Sequence, residues 1–512
     1  LTVAQTPESP RSRAGATRSD PTVLAGVAAL TVIGLLLRLS LCSQPMRFDE
    51  STSYVQLASR SLHTCLTVYL HANNHPLCTV LVHLSAELFG NHPWAVRLPA
   101  LVAGVLLVPA TFWTFERVFD ATSALLASAL VAASAPLVEY ATNARGYSLQ
   151  ALFVVLLFGA AARILDDPAP RRWGPFVAWT VLGFYSVPTM VFYFLAVLVF
   201  MAGSASPGRR RRLLVHLGAA SAAAGVVVVL LYVPFTLRSG LGALTSNGFV
   251  GNVSWGDLGK GLGETLVACV RDGHRGLPLP VEAVMLTGFG VSVAAQPRVS
   301  RFRVSPAVAT IGACLAVMLA QRALAPERVF VPCVPLYLAS SAAGLRWMAG
   351  RISVLSQRRS GRRRLAGRPL VLATVAFAVL VSATASASVL GSGAAYQTHD
   401  DQVLFSDAEG MTVALAELGR DGDTVYVQAA ASMILRYYFE LHHVPTDRIH
   451  AYGSPAREGG RSFVIDASAD EPEFTVQQAL GHGGPAHPER YRLVPILALP
   501  RSTLYGLVDE GG

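Results

Sequence analysis

Charge is scarce in this chain. Of 512 residues, 14% are Asp, Glu, Lys or Arg, while 52% are hydrophobic and the mean hydropathy is +0.45. Soluble domains carry about 25% charged residues, so the deficit excludes an ordinary globular protein and points to a polytopic membrane protein. Lysine is almost missing: Lys260 is the single example, a bias that suggests GC-rich bacterial coding and says nothing about chemistry. Cysteine is sparse too. Cys42, Cys65, Cys78, Cys269, Cys314 and Cys333 show no CxxC pair and no Cys/His zinc spacing. Cys314 and Cys333 lie in apolar runs and are expected in the core. Cys65 and Cys78 fall in one expected loop, where spacing alone does not establish pairing. There is no P-loop, no GxGxxG fingerprint and no nucleic-acid signature. The first apolar run, from Val23, is long enough to span and lacks a small-residue cleavage site, so no cleaved signal peptide is expected.

What charge there is lies unevenly. The chain carries net +9, but from Ser392 onward 17 Asp and Glu face 8 Arg, a local −9 that leaves +18 on the rest. This shift marks a boundary. Residues 1–21 form a basic N-terminal segment, 22–391 a membrane domain and 392–512 an acidic, soluble-looking tail. In the tail, helical periodicity at 407–418 and 432–442 alternates with β-rich runs at 423–427, 461–465 and 503–508, which predicts a small α/β domain.

Arginine placement orders the membrane part. Apolar runs at 22–43, 96–115, 121–138, 147–165, 173–186, 189–202, 213–237, 281–296, 304–323, 329–348 and 369–391 give about 11 transmembrane helices. Run 76–89 is short for a span and suits an interfacial or re-entrant helix. With 76–89 left uncrossed, Arg11, Arg13 and Arg18, the Arg209–Arg212 run and the Arg351–Arg368 cluster all face the cytoplasm. The N-terminus is then inside and the tail extracytoplasmic, as are loop 44–95 and the glycine-rich loop 238–280. The basic clusters themselves are topology determinants facing anionic lipid.

On this topology the outer face collects Asp49, Glu50, His71, Asn73, Asn74, His75, Arg97, Glu139, Asn143, Arg145, Tyr147, Glu327 and Arg328. Adjacent carboxylates where a span meets water are a site hypothesis, although they also suit a plain span end. A carboxylate can deprotonate an attacking hydroxyl, and arginines can bind and stabilise a phosphate leaving group. Arginines at span ends also snorkel to headgroups. His75-Pro76 also suits a helix start. His71 and His75 have the spacing of a metal pair only if the segment is helical, which the Asn-Asn and the proline argue against. The tail histidines (His399, His442, His443, His450, His482, His487) are expected on a solvated surface.

Several motifs then recur in order. Arg47-Phe48-Asp49-Glu50, Asn74-His75-Pro76, Leu88-Phe89-Gly90 and Trp94-Ala95-Val96-Arg97-Leu98-Pro99 resemble the GT-C superfamily of glycosyltransferases. The nearest resemblance is to bacterial relatives of protein O-mannosyltransferase and of the lipid A aminoarabinose transferase. The stretch from Glu139 to Ser148 is similar to that family's Tyr-Ser-x-Glu-Ala-Arg-x-Tyr-Ala segment. Leu182–Ser186 resembles its short helical pair with an aromatic turn, and Glu327–Pro332 its late Arg-aromatic-x-x-Pro segment. The resemblance implies a GT-C fold in the bacterial cytoplasmic membrane, with a polyprenyl-phosphate sugar as donor. The acceptor would be a cell-envelope glycan, lipid or protein, and the chemistry inverting. Mannose or another hexose is the first expectation for the sugar and arabinose the second. Asp49 is implied as catalytic base with Glu50 as its acidic partner. Asn74, His75, Arg97, Arg145, Tyr147, Tyr185, Glu327 and Arg328 are implied in substrate binding. A divalent cation on Asp49, Glu50 or His75 is left open. Two departures stand out: Leu77 where the family often has a second proline, and Asn143 where it has Glu, a role that Glu139 takes only if the local geometry allows. A transporter of lipid-linked saccharides and a non-catalytic assembly scaffold are the alternatives, though no internal repeat supports the transporter.

Overall fold

A computed structural model describes residues 20–70, 74–245, 253–360, 368–396, 403–450, 460–481 and 490–509. The chain opens with α1 (Pro21–Leu39), capped by the Asp20 side chain, which accepts from the Thr22 N–H at 2.8 Å. The following loop holds α2 (Phe48–Ser53), a π-helical turn (Tyr54–Ala58) and α3 (Leu62–Thr67). Then come α4 (Pro76–Phe89), α5 (Pro93–Val118), α6 (Ala121–Ala133), α7 (Ala135–Ala141), α8 (Tyr147–Asp166), α9 (Trp173–Ser186) and α10 (Met190–Ser204). The second half holds α11 (Pro207–Ser239), α12 (Leu241–Thr245), α13 (Trp255–Gly273), α14 (Leu279–Ala294), α15 (Gln296–Val299), α16 (Pro306–Gln321), α17 (Cys333–Ser360) and α18 (Arg368–Ser392).

Among the described residues, α1, α5, α8, α11 and α18 are long and apolar enough to cross a membrane, and α6 with α7 makes a sixth as one bent span. Four shorter apolar helices, α4, α10, α14 and α16, lie between these. The helix bounds at 76–89 and 173–186 coincide with the sequence expectation. Among the described residues, five or six helices of spanning length stand against the eleven spans expected, and two regions differ further. The single span expected at 121–138 breaks at Ser134, where Pro136 cannot continue the hydrogen-bond ladder, and α7 leaves at 59° to α6. The glycine-rich loop 238–280 contains the 19-residue helix α13, started by Ser254, whose Oγ accepts from the Asp257 N–H.

The bundle is built around α8, whose apolar stretch is 83% buried against 17% for α11 and α18. It packs on α5 and α9, and α5 packs in turn on α6 and α1. The break in α6/α7 is held by Arg38 of α1, which is fully buried. Arg38 Nη1 donates to the Ala132 carbonyl at 2.8 Å and the Gly34 carbonyl at 3.0 Å, and Nη2 to Val131 at 3.4 Å. A helix end inside an apolar bundle leaves carbonyls without partners, and one guanidinium answers two of them.

The tail forms α19 (Ala408–Leu418), β1 (Thr424–Tyr426), α20 (Ala429–Leu441), β2 (Ile449–His450), β3 (Ser462–Asp466), α21 (Val476–Leu480), β4 (Tyr491–Ala498) and β5 (Thr503–Asp509). The sheet order is β2-β1-β3-β5-β4, with β1 parallel to β2 and β3, and β5 antiparallel to β3 and β4. Strand β4 was not expected from the sequence; it contains Pro495, which an edge strand tolerates. All six cysteines are free thiols, and Cys65 Sγ lies 3.4 Å from the Leu57 carbonyl rather than on Cys78.

Candidate active site

Glu50 sits in the first turn of α2, three residues after the N-cap, where a glutamate can reach back to the N-cap amide. Its Oε1 accepts from the Arg47 N–H at 3.0 Å, and its Oε2 from the Ala144 N–H at 2.9 Å. Arg97, in the second turn of α5, grips both carboxylate oxygens: Nε donates to Oε2 at 3.0 Å and Nη2 to Oε1. Its remaining N–H groups go to backbone carbonyls: Nη1 donates to Cys42 at 2.8 Å and Gln44 at 2.6 Å, and Nη2 to Pro45 at 2.9 Å. Both side chains are fully buried. All five guanidinium hydrogens are therefore engaged inside the protein. This knot joins the exit of α1, helix α2, helix α5 and the α7–α8 turn. Burial alone would raise the Glu50 carboxyl, but Arg97, Arg47 and the Ala144 amide outweigh it and hold the group below its ordinary value.

Asp49 turns the other way and stays 13% exposed, with Arg145 Nη2 3.6 Å from its Oδ2. Arg145 comes from the α7–α8 turn, donates from Nη1 to Ser53 Oγ at 2.9 Å and lies 6.0 Å from the Tyr147 ring centre. His75 completes this wall. Its Nδ1 accepts from the Gly146 N–H at 2.8 Å, which leaves the proton of a neutral ring on Nε2. Burial first, then the charges of Arg145 and Arg328, push its pKa well below 6.5, so the ring is neutral at physiological pH. His75 stands edge-on to Tyr147 at 5.0 Å, and Tyr147 edge-on to Tyr140 at 5.2 Å. Gly146 has to be glycine: a Cβ there would lie 2.9 Å from the Ser186 carbonyl oxygen and 3.1 Å from His75. A small cavity is lined by Glu50, Ser53, Tyr54, His75, Thr79 and Arg145, with Asp49 outside its lining and next to Arg145.

The other expected site residues divide. Arg328 lies on the short turn Glu327–Phe330, half-buried, near enough for its charge to act on His75. That turn is fixed by Tyr193, whose hydroxyl donates to the Val329 carbonyl at 2.5 Å. Glu327 shares the turn. Asn74 is not left for substrate: its amide donates to the Val68 carbonyl at 3.0 Å and its Oδ1 accepts from Thr79 at 3.1 Å, closing the approach to α4. Arg97 is likewise a structural clamp, for the reason given above. Tyr185 goes into an aromatic cluster with Tyr69, Tyr232 and Phe235. Asn143 is buried in the α7–α8 turn. His71 and Asn73 lie outside the described residues. Glu139 does not stand in for the missing family glutamate. It pairs with Arg275 and lies 3.7 Å from Arg47, while Arg275 Nε reaches Asp272 at 2.6 Å and Nη1 the Ala394 carbonyl at 2.9 Å. Arg275 was not foreseen, and its Gly-His-Arg-Gly setting gives no local signal.

A metal fits this donor set poorly. Among the described residues no three His, Cys, Asp or Glu side chains converge on one point. Both Glu50 oxygens face a guanidinium, and the His75 nitrogen on the Gly146 side is already an acceptor.

Residues 72–232 match the family described as dolichyl-phosphate-mannose-protein mannosyltransferase. The fold is similar to ArnT from Cupriavidus metallidurans in its apo state, with TM-score 0.60 at 13% identity, covering 94% of this chain and 97% of that one. ArnT bound to undecaprenyl phosphate matches equally. The archaeal oligosaccharyltransferase AglB from Archaeoglobus fulgidus aligns with TM-score 0.50 at 13% identity, over 83% of this chain and 60% of its own length. No curated protein matches the sequence. The fold of the chain is similar to that of these transferases, and its segment 72–232, which carries His75 and Arg145, is the part that matches the mannosyltransferase family.

Proposed function

We propose that this protein is a membrane glycosyltransferase that moves a sugar from a polyprenyl-phosphate donor to a hydroxyl of a cell-envelope acceptor, with inversion. The observation that carries the reading is the asymmetry of two neighbouring carboxylates. Glu50 is fully buried and held by both nitrogens of the Arg97 fork, whereas Asp49 stays 13% exposed beside Arg145, which itself lines the cavity. In the proposed step Asp49 takes the proton of the acceptor hydroxyl as its oxygen bonds to the anomeric carbon. The bond from that carbon to the phosphate oxygen breaks, and polyprenyl phosphate leaves with the electron pair. Arg145 and Arg328 would take up the phosphate charge. Neutral His75 can donate from Nε2 without adding a charge.

An apolar groove supports a lipid-borne donor. It lies along α13, α16 and α17, with a volume of about 170 Å³, lined by Leu266, Cys269, Met318, Phe330, Val334 and Tyr337. Phe330, two residues from Arg328, is part of its lining, so a headgroup held by that arginine would have its chain beside the groove. A hexose such as mannose is the preferred sugar and arabinose the second. Eleven spans, a cytoplasmic N-terminus and an outward tail in the bacterial cytoplasmic membrane complete the reading.

The test is transfer by purified protein from labelled polyprenyl-phosphate sugars. Asp49→Asn should abolish product while the unfolding temperature stays at the wild-type value. Glu50→Gln should lose both, since breaking a buried ion pair costs about 3–5 kcal/mol. Full activity in Asp49→Asn would overturn the assignment.

A further inference from the structure

Two consecutive tyrosines of the tail touch the two helices whose side chains form the central knot. Tyr438 Oη accepts from the Met46 N–H at 3.0 Å, just ahead of α2. Tyr437 Oη donates to the Asn91 carbonyl at 2.5 Å, just ahead of α5, and the Tyr437 ring stands edge-on to Tyr54 at 5.3 Å. Successive residues of a helix point about 100° apart, so α20 reaches both targets at once. A second grip lies beside the first. The Phe48 N–H donates to the Val403 carbonyl at 3.0 Å, and Arg47 forms an antiparallel bridge with Leu404. Phe405, next in line, is fully buried, as are Met46 and Tyr437. The Arg47-Phe48-Asp49-Glu50 segment is thus bound by the tail at its backbone, immediately before the residue read as the base.

We propose that the tail domain is a positioning element of the active site: Tyr437, Tyr438 and the strand-like Val403-Leu404 segment hold α2 and α5 in register so that Asp49 stays beside Arg145 at the edge of the cavity. This rests on the transferase reading for its catalytic consequence, though not for the grip itself. Neither tyrosine touches the cavity, so both are positioning residues and not catalytic ones. The expected signature is a loss of turnover with donor affinity kept.

Tyr437→Phe, Tyr438→Phe and the double variant keep both rings and remove only the hydroxyl bonds, which leaves the fold intact. Tyr505→Phe, in β5 of the same domain, is the control. In the full-length protein, hydrogen exchange at amides 46–53 should quicken by roughly tenfold in the double variant, in line with loss of the two hydroxyl hydrogen bonds. Exchange in β1 and β3 should be unchanged. The kcat should fall by roughly tenfold with KM for the donor unaltered, and Tyr505→Phe should behave as wild type. Wild-type exchange at 46–53 in the double variant would overturn the grip. Quickened exchange with wild-type kcat would overturn its catalytic role. A wild-type protein without transferase activity that still shows the exchange change would sink the function and leave the grip standing.

Discussion

Adjacent residues on a helix diverge by about 100°, and that rotation separates Asp49 from Glu50. Nothing in the pair Asp-Glu says which will face inward. The choice is made by Arg97, 47 positions away from Glu50, whose five hydrogens find two carboxylate oxygens and three carbonyls. Carboxylates and arginines at span ends are locally visible in the sequence, and the structure brings Asp49, Glu50, His75 and Arg145 into one neighbourhood. Arg97 and Asn74 were expected on the substrate, but each is engaged by a side chain and by backbone carbonyls that no motif encodes. The same neighbourhood sets a pH response. His75 is neutral in the folded protein and titrates near 6.5 when unfolded, so the unfolded state binds more protons as pH falls. Its contribution is complete above pH 6.5 and declines below it, with a slope approaching about 1.4 kcal/mol per pH unit. Glu50, held below its ordinary 4.5, adds a second decline only below that value. Thermal unfolding in detergent between pH 8 and 5 should therefore show a fall that His75→Asn flattens; a flat wild-type profile would contradict the neutral, buried ring.

At the scale of elements, the broken span is the device that aims the site. Helix α7 carries Glu139 to Arg47 and Arg275 only because it departs from α6 at an angle, and Arg38 makes that departure tolerable. Room for the guanidinium comes from two glycines: a Cβ on Gly34 would lie 3.1 Å from Arg38 Nη1, and one on Gly104 3.1 Å from Nε. The Gly104 Cβ would also press on Ala141 of α7. Gly104→Val should cost about 3 kcal/mol, the upper end for overpacking, and should lower transfer along with the unfolding temperature. Unaltered stability would mean α5 and α7 are not in close contact. Pro136 signalled this break in the sequence, but a continuous apolar run concealed it. Helix α13 was hidden for the opposite reason. Gly256, Gly259, Gly261 and Gly263 suggest a loop, yet Gly261 lies against Leu324, where a side chain would clash.

For the whole molecule, length and hydropathy were enough to place most helices, because an apolar run has few alternatives in lipid. Placement of the tail against α2 was not legible, since it depends on contacts between residues hundreds of positions apart. Arginine clusters predict which side each loop faces, and this can be measured. Ser468, exposed in the tail, and Ser206, exposed ahead of α11, lie on opposite sides in that topology. With Ser468→Cys, an impermeant maleimide should label intact cells; with Ser206→Cys, labelling should require permeabilisation. The reverse pattern would invert the topology.

The bond from Met46 to Tyr438 spans 392 positions of sequence. Synthesis therefore delivers the carboxylate motif early and its support last, after every intervening span has been threaded into the bilayer. Until α20 arrives, the Arg47–Ser53 segment has Glu50 and Arg97 but lacks the backbone partners at Met46 and Phe48. On the proposed reading, a nascent chain would be inserted well before the segment that steadies α2 has been made.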